Sequence, residues 1–194
     1  LKINELTNKK IKKIMACLLT TGRKIPCKSG FGGIKTVYFA DYGTIASITL
    51  DADNLATIVN ASPAPEWFEY NVKGASSLET TVTSSRDNGT TFYTQTLNLT
   101  LTFLDSKTQG ELQTLAVSRP YAVVEDYYGN SFLLGLENGL ELTGGTIVTG
   151  AAAGDLTGFT LTFEGMEEKA PYFLGAGVTA AGTQIDPTPA GVPA

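Results

Sequence analysis

The stretch that decides the fold is SLETTVTSSRDNGTTFYTQTLNLTLTFL, residues 77–104. At its centre, Asp87-Asn88-Gly89 is a turn signal, because Asn-Gly suits a two-residue type I′ turn in which both central residues take positive φ. Residues 77–85 and 90–104 on either side are rich in β-branched and aromatic side chains with a period of two, so they read as the arms of one hairpin. In the second arm Tyr93, Leu97, Leu99, Leu101 and Phe103 share one face, and Thr94, Thr96, Asn98, Thr100 and Thr102 share the other. At ~3.3 Å per residue this arm spans about 50 Å, where a usual strand has roughly 5–6 residues. An arm that long leaves unpaired edges, a liability that closing a barrel removes. The threonine face carries hydroxyls and amides rather than charges, a surface that is wet but offers a polyanion little to grip.

Working outward, Asp105 and Ser106 cap a helix expected from about Lys107 to Val117, with Leu112, Leu115 and Ala116 as its apolar stripe, Glu111 near its positive end and Arg119-Pro120 beyond its end. Strands are expected at Ile34–Ala40, Thr44–Leu50 and Glu66–Val72, with a loop containing Asn60, Pro63 and Pro65 between the last two. Further strands follow at Tyr121–Glu125, Ser131–Gly135, Leu140–Leu142, Thr146–Val148 and Phe159–Glu164, with turns at Asn138-Gly139 and Gly144-Gly145. The chain therefore reads as mainly β, an antiparallel β-sandwich or barrel with one long hairpin and one flanking α-helix. Three regions emerge: a basic N-terminal arm (1–33), a β domain (34–170) and a Gly/Ala/Pro-rich C-terminal tail (171–194).

Composition narrows the chemistry. The 194 residues contain no histidine, which removes the commonest general base and metal ligand. Cys17 and Cys27 make either two idle thiols or one bridge, the latter needing an oxidising compartment. The glycines of Gly30-Phe31-Gly32-Gly33 precede Ile34-Lys35 and a strand, which is the wrong order for a phosphate loop. Asp51, Asp53 and Asn54 lack the glycine and distal glutamate of a calcium loop. Glu164, Glu167 and Glu168 form a carboxylate cluster at the end of a strand and with Asp155 could in principle host a glycosidase pair, but sequence spacing alone says nothing about their separation in space. Trp67, Phe68 and Tyr70 alternate with Glu66 and Glu69, a pattern that a sandwich core explains more simply than a carbohydrate platform. No catalytic residue, metal or cofactor is expected. No apolar run approaches the ~20 residues of a membrane helix, so no membrane partner is expected either.

Charge is strongly polarised. Residues 1–35 hold nine basic side chains against Glu5 alone, whereas residues 36–194 hold five basic and eighteen acidic ones. Such an arm, in which Lys9, Lys10, Lys12 and Lys13 are clustered, is expected to dock on the acidic body of a neighbouring copy. The acidic body argues against tight duplex binding, which scales with the positive groups presented. The Lys/Ile/Asn bias of residues 1–14 also fits translated AT-rich leader, which would place the natural start at Met15. The apolar stretch after these lysines is too short for a signal peptide.

Several stretches together resemble the tail tube proteins of tailed bacteriophages. They are Thr21-Gly22-Arg23-Lys24-Ile25-Pro26-Cys27-Lys28 leading through Gly32-Gly33-Ile34-Lys35 to Val37-Tyr38-Phe39, then Arg119-Pro120 with Val123-Val124-Glu125-Asp126, then Phe132-Leu133-Leu134-Gly135 with Glu137-Asn138-Gly139-Leu140, and finally residues 154–163, GDLTGFTLTF. The resemblance covers most of residues 16–172. It implies a virion subunit, assembled in the host cytoplasm, whose copies form stacked hexameric rings with long hairpins lining a channel. DNA would pass through without specific binding, and other tail or neck proteins would be further partners. Neck and ring subunits share the fold, so a neck ring or other virion adaptor is the alternative, with a cell-surface adhesin sandwich a more distant one. Under this reading Thr94, Thr96, Asn98, Thr100 and Thr102 line the channel, Asn88 and Gly89 form the hairpin turn, and the lysine arm joins subunits.

Overall fold

The structure is a computed structural model that describes residue 23 and residues 31–72 and 75–178. In chain order it has β1 (Ile34–Ala40), β2 (Ile45–Leu50), β3 (Ala56–Asn60), β4 (Phe68–Asn71), β5 (Ser77–Ser85), β6 (Thr90–Thr102), α1 (Ser106–Val117), β7 (Tyr121–Asp126), β8 (Ser131–Leu134), β9 (Glu141–Val148), β10 (Gly158–Glu167) and β11 (Tyr172–Leu174). The strands make two sheets. One has seven strands in the order β2-β3-β11-β8-β7-β1-β4, the other four in the order β5-β6-β10-β9. Every pairing is antiparallel except β3 with β11. The described residues thus form a mainly β sandwich with one helix.

Between the sheets lies a core of Val37 and Phe39 from β1, Leu97 and Leu99 from β6, Ala122 and Val124 from β7, and Phe159, Leu161 and Phe163 from β10, closed at one side by Leu112 of α1. Each large side chain removed from water here contributes roughly 1.5–3 kcal/mol. A second cluster covers the other face of β7, β1 and β8, where Ile45, Ala56, Trp67 and Leu174 close over Tyr121, Val123 and Leu133. Strand β7 is therefore covered on both faces. This is why Tyr121-Ala122-Val123-Val124 reads as a continuous apolar run with no alternation.

The helix forms as its sequence indicates, with the Asp105 carboxylate accepting from the Lys107 and Thr108 amides at 3.0 and 3.1 Å. Only Leu112 and Leu115 of the expected stripe reach the core, Ala116 being exposed, and Glu111 lies beyond the first turn.

Several expectations need correction. Residues 56–60, inside the stretch read as a loop, form β3, because Thr57, Ile58 and Val59 pair with β2 across a full ladder. Leu140–Leu142 and Thr146–Val148 are one strand interrupted by a bulge at Thr143 rather than two strands joined by a Gly-Gly turn. Gly145 sits inside that strand because a Cβ there would meet the Thr160 carbonyl oxygen at 2.8 Å. At the other end, Tyr172–Leu174, placed in the tail by composition, forms β11 between β8 and β3. Phe31 and Gly33 join the body as well, through a ring contact with Tyr127 and a hydrogen bond from the Tyr127 amide to the Gly33 carbonyl. Cys17, Cys27, Lys9, Lys10, Lys12 and Lys13 lie outside the described residues.

Leu99 is 1% exposed, whereas the Thr100 side chain lies on the polar face with its hydroxyl donating to the Ala75 carbonyl, so Leu99→Ala should lower stability by about 2–5 kcal/mol. Thr100→Ser, which retains that hydroxyl, should change it by less than about 0.5 kcal/mol. Urea denaturation followed by Trp67 fluorescence measures both.

Candidate assembly surface

In the four-stranded sheet, β10 holds β6 in ten consecutive pairs, from Gly158 opposite Thr102 to Glu167 opposite Tyr93. Because partners in a ladder share a face, this register turns Leu97, Leu99, Phe159, Leu161 and Phe163 toward the core. It places Thr94, Thr96, Asn98, Thr100 and Thr102 on the opposite face. There Thr102 is exposed and the other four are half-buried among their neighbours. The surrounding strands extend the same chemistry, with Thr81 and Thr83 on β5, Thr160 and Thr162 on β10, and Thr146 on β9. Hydroxyls tie the face together across strands: Thr162 donates to the Asn98 Oδ1 at 2.9 Å, and the Thr146 and Thr160 hydroxyls bond one another.

Strand β6 is neutral on this face, but the sheet as a whole is not. The ladders align Glu79, Thr96, Glu164 and Glu141 in one row across β5, β6, β10 and β9. All three carboxylates are exposed, and the four strands carry no lysine or arginine. Among the described residues Glu141 alone of the three has a cation at hand, the Arg119 Nε at 3.0 Å, in an exposed pair of little energetic weight. The expected neutral lining is thus corrected to a hydroxyl surface crossed by an acidic row. The row was missed because its members lie far apart in sequence and meet only through the register.

Two other expectations change. Phe103 does not face the body: β6 ends at Thr102, Phe103 takes φ 71°, and it stands 52% exposed. The hairpin turn is a four-residue loop, since Ser85 pairs with Thr90 and only Gly89 (φ 64°), not Asn88, is left-handed. Four-residue loops are commonly built around a type I turn, which needs no positive φ at Asn88. That loop, Arg86–Gly89, is fully exposed.

Sequence reasoning passed over two buried polar residues on the core face of this sheet. Gln95, 2% exposed, occupies the alternation between Tyr93 and Leu97, and its Oε1 accepts from the Gly135 amide of the other sheet at 3.0 Å. Glu167, 4% exposed, ends β10, which runs three residues beyond its expected end at Glu164. Its carboxylate accepts from the Glu137 amide at 2.9 Å and the Asn138 amide at 3.0 Å. The signal for both was the period of two, carried one step further. Glu164, Glu167 and Glu168 consequently do not form a shared site: Glu164 faces outward, Glu167 inward onto a turn. Among the described residues no group of three Cys, Asp or Glu side chains is placed to hold a metal ion. Asp51 is occupied with its own loop, accepting from the Asp53 and Leu55 amides. Trp67 is buried in the second cluster, Tyr70 packs edge-on against Phe39, and Phe68 is 39% exposed.

Among the described residues the sheet has two unpaired backbone edges, the outer sides of β5 and β9, with nine and eight residues respectively. Neither edge strand contains proline or lysine, the devices that usually blunt an edge. Among the described residues no helix is long and apolar enough to cross a membrane. No family model, curated protein or solved structure matches the chain.

Burial pushes the Glu167 carboxyl above its ordinary value, opposed by the Asn138 and Glu137 amides. Its folded pKa being raised, the group's contribution to stability is fully present below the ordinary value and is lost as pH rises through the folded one. Glu167→Ala leaves two amides without their acceptor and should cost about 2–3 kcal/mol. Denaturation at two pH values should show a larger loss near pH 4 than at pH 7.

Proposed function

We propose that the chain is a structural subunit of a bacteriophage tail tube, forming rings that enclose a channel and stack into a tube. The observation that carries this reading is the parity of the four-stranded sheet. With an even number of antiparallel strands, its outer strands β5 and β9 run in opposite directions. Copies related by rotation about an axis near the strand direction therefore bring β9 of one against β5 of the next as an antiparallel pair. An odd number of strands would force a parallel join. Each copy adds four strands, so four or more copies reach the roughly sixteen at which barrels leave an aqueous channel. Six would contribute about twenty-four.

The chemistry of the free face supports the same reading. A lumen of threonine hydroxyls stays wet, and the Glu79, Glu164 and Glu141 row repels a polyanion instead of holding it. DNA would slide past such a wall with no counterion release to anchor it. Nothing in this role calls for a catalytic centre or cofactor. The partners would be further copies of the chain and other tail or neck proteins of the virion, and a neck ring would use the same closure without stacking.

Ile147 tests the join. It lies on the β9 edge strand, 61% exposed, where lysine should alter the stability of the single chain by no more than about 0.5 kcal/mol while placing a charge at the edge to be paired. Electron microscopy of the unmodified protein should show rings or tubes, and light scattering should find Ile147→Lys monomeric. A protein that stays strictly monomeric at high concentration, with no rings in micrographs, would sink the proposal.

A further inference from the structure

We infer that Phe103 is the plug of a head-to-tail contact, seating in an apolar groove on a second copy of the chain in the adjacent ring. The inference rests on the ring reading above and names the surface that would turn rings into a tube. The groove lies between the two sheets, about 610 Å³ in volume, with Val82 and Tyr93 of the hairpin on one side and Phe132, Pro171 and Phe173 on the other. Val82 is 56% and Phe173 47% exposed. The walls are mostly apolar, with Thr80 and Asp126 among the lining residues, and among the described residues nothing fills the space between them.

Phe103 is the matching oddity. A bulky residue in the left-handed region is an outlier that most turns avoid by using glycine or asparagine. Here the Phe103 amide is held by the Thr157 carbonyl at 2.8 Å, the backbone is at φ 71°, and the ring is half exposed instead of joining the core. Among the described residues the Phe103 ring belongs to neither core cluster. Such a residue persists where the surrounding structure and a use elsewhere impose it.

The two features lie apart along the hairpin's second arm, Phe103 immediately after the end of β6. Tyr93, in the groove wall, and Phe103 are separated by roughly 33 Å of chain at ~3.3 Å per residue. Strands in a closed barrel tilt by about 35–45° from its axis, so the ends of β6 fall toward opposite rims of the ring. A plug toward one rim and a groove toward the other make a contact that does not close on itself, and such contacts repeat into filaments.

Area decides that the occupant is a copy already held in a ring. One buried phenylalanine removes about 150–250 Å² from water, whereas a stable interface needs roughly 1,200–2,000 Å². A single plug is too small to hold two free monomers together. A ring presents several plugs at once, and after the first engages, the rest bind at high effective concentration.

Phe103→Asn tests the contact, because asparagine tolerates the left-handed turn while the ring is removed. The variant should match or exceed the unmodified protein in melting temperature and still form rings, but its tubes should be lost. Val82→Asp, on the receiving wall, should give the same rings without tubes. Tubes of normal length from either variant overturn the contact while leaving the ring reading intact, and so does an unmodified protein whose rings never stack. A fall in the melting temperature of Phe103→Asn together with loss of rings assigns Phe103 to folding instead, and also overturns the proposal. Absence of rings from the unmodified protein sinks the ring reading and this inference together.

Discussion

The register between β6 and β10 is the constraint on which the rest depends. Because side chains alternate along a strand, sliding β6 past β10 by a single residue would send Thr96, Asn98 and Thr100 inward and expose Leu97 and Leu99. The apolar face alone opposes that slip. Gln95 and Glu167 sharpen the choice, since each is buried and each finds its acceptor role filled only where the Gly135, Glu137 and Asn138 amides wait for it. The outer face is therefore the reverse side of the core. Whatever fixes the leucines inward also fixes the threonines and the row of glutamates outward.

Much of this was legible in the sequence wherever the pattern is local and strong. The hairpin arms and the Asp105-capped helix announce themselves through short-range periodicity and capping, and the strand Tyr121–Asp126 through its β-branched apolar run, though not its burial on both faces. What escaped did so for identifiable reasons. Strand β3 is flanked by Asn60, Pro63 and Pro65, whose turn character masks Thr57-Ile58-Val59. Strand β11 is three residues long and owes its conformation to the slot between β8 and β3 rather than to its own propensity. Phe103 continues the alternation in letters while its backbone turns the other way, and no property of phenylalanine foretells a positive φ. The acidic row needs three ladders before its members become neighbours. The candidate surface was thus half visible: its threonines follow from one strand, its charges only from four.

The proposed assembly and the observed sheet share one logic. A sandwich that ended its polar sheet with blunted edges would be a finished object. Here both edges are long and chemically plain, and they run in the opposed directions that a rotational repeat requires. The polar face does not need to recognise anything. In a channel, its value lies in the absence of grip.

The insertion of β11 carries a consequence for the order of folding. Strand β3 has two neighbours, β2 and β11, so the β2–β3 hairpin joins the larger sheet's hydrogen-bond network only through a segment that follows every other strand in sequence. During synthesis that hairpin emerges early and must wait, packed at most through side chains, until residues 172–174 arrive to bridge it to β8. The sequence separation of these contacts is large, which makes the closing step slow relative to the local hairpins. Completion of the described body is thereby tied to β11, and a chain truncated before Tyr172 would lack the strand that bridges the β2–β3 hairpin to β8 and the Leu174 side chain of the second cluster.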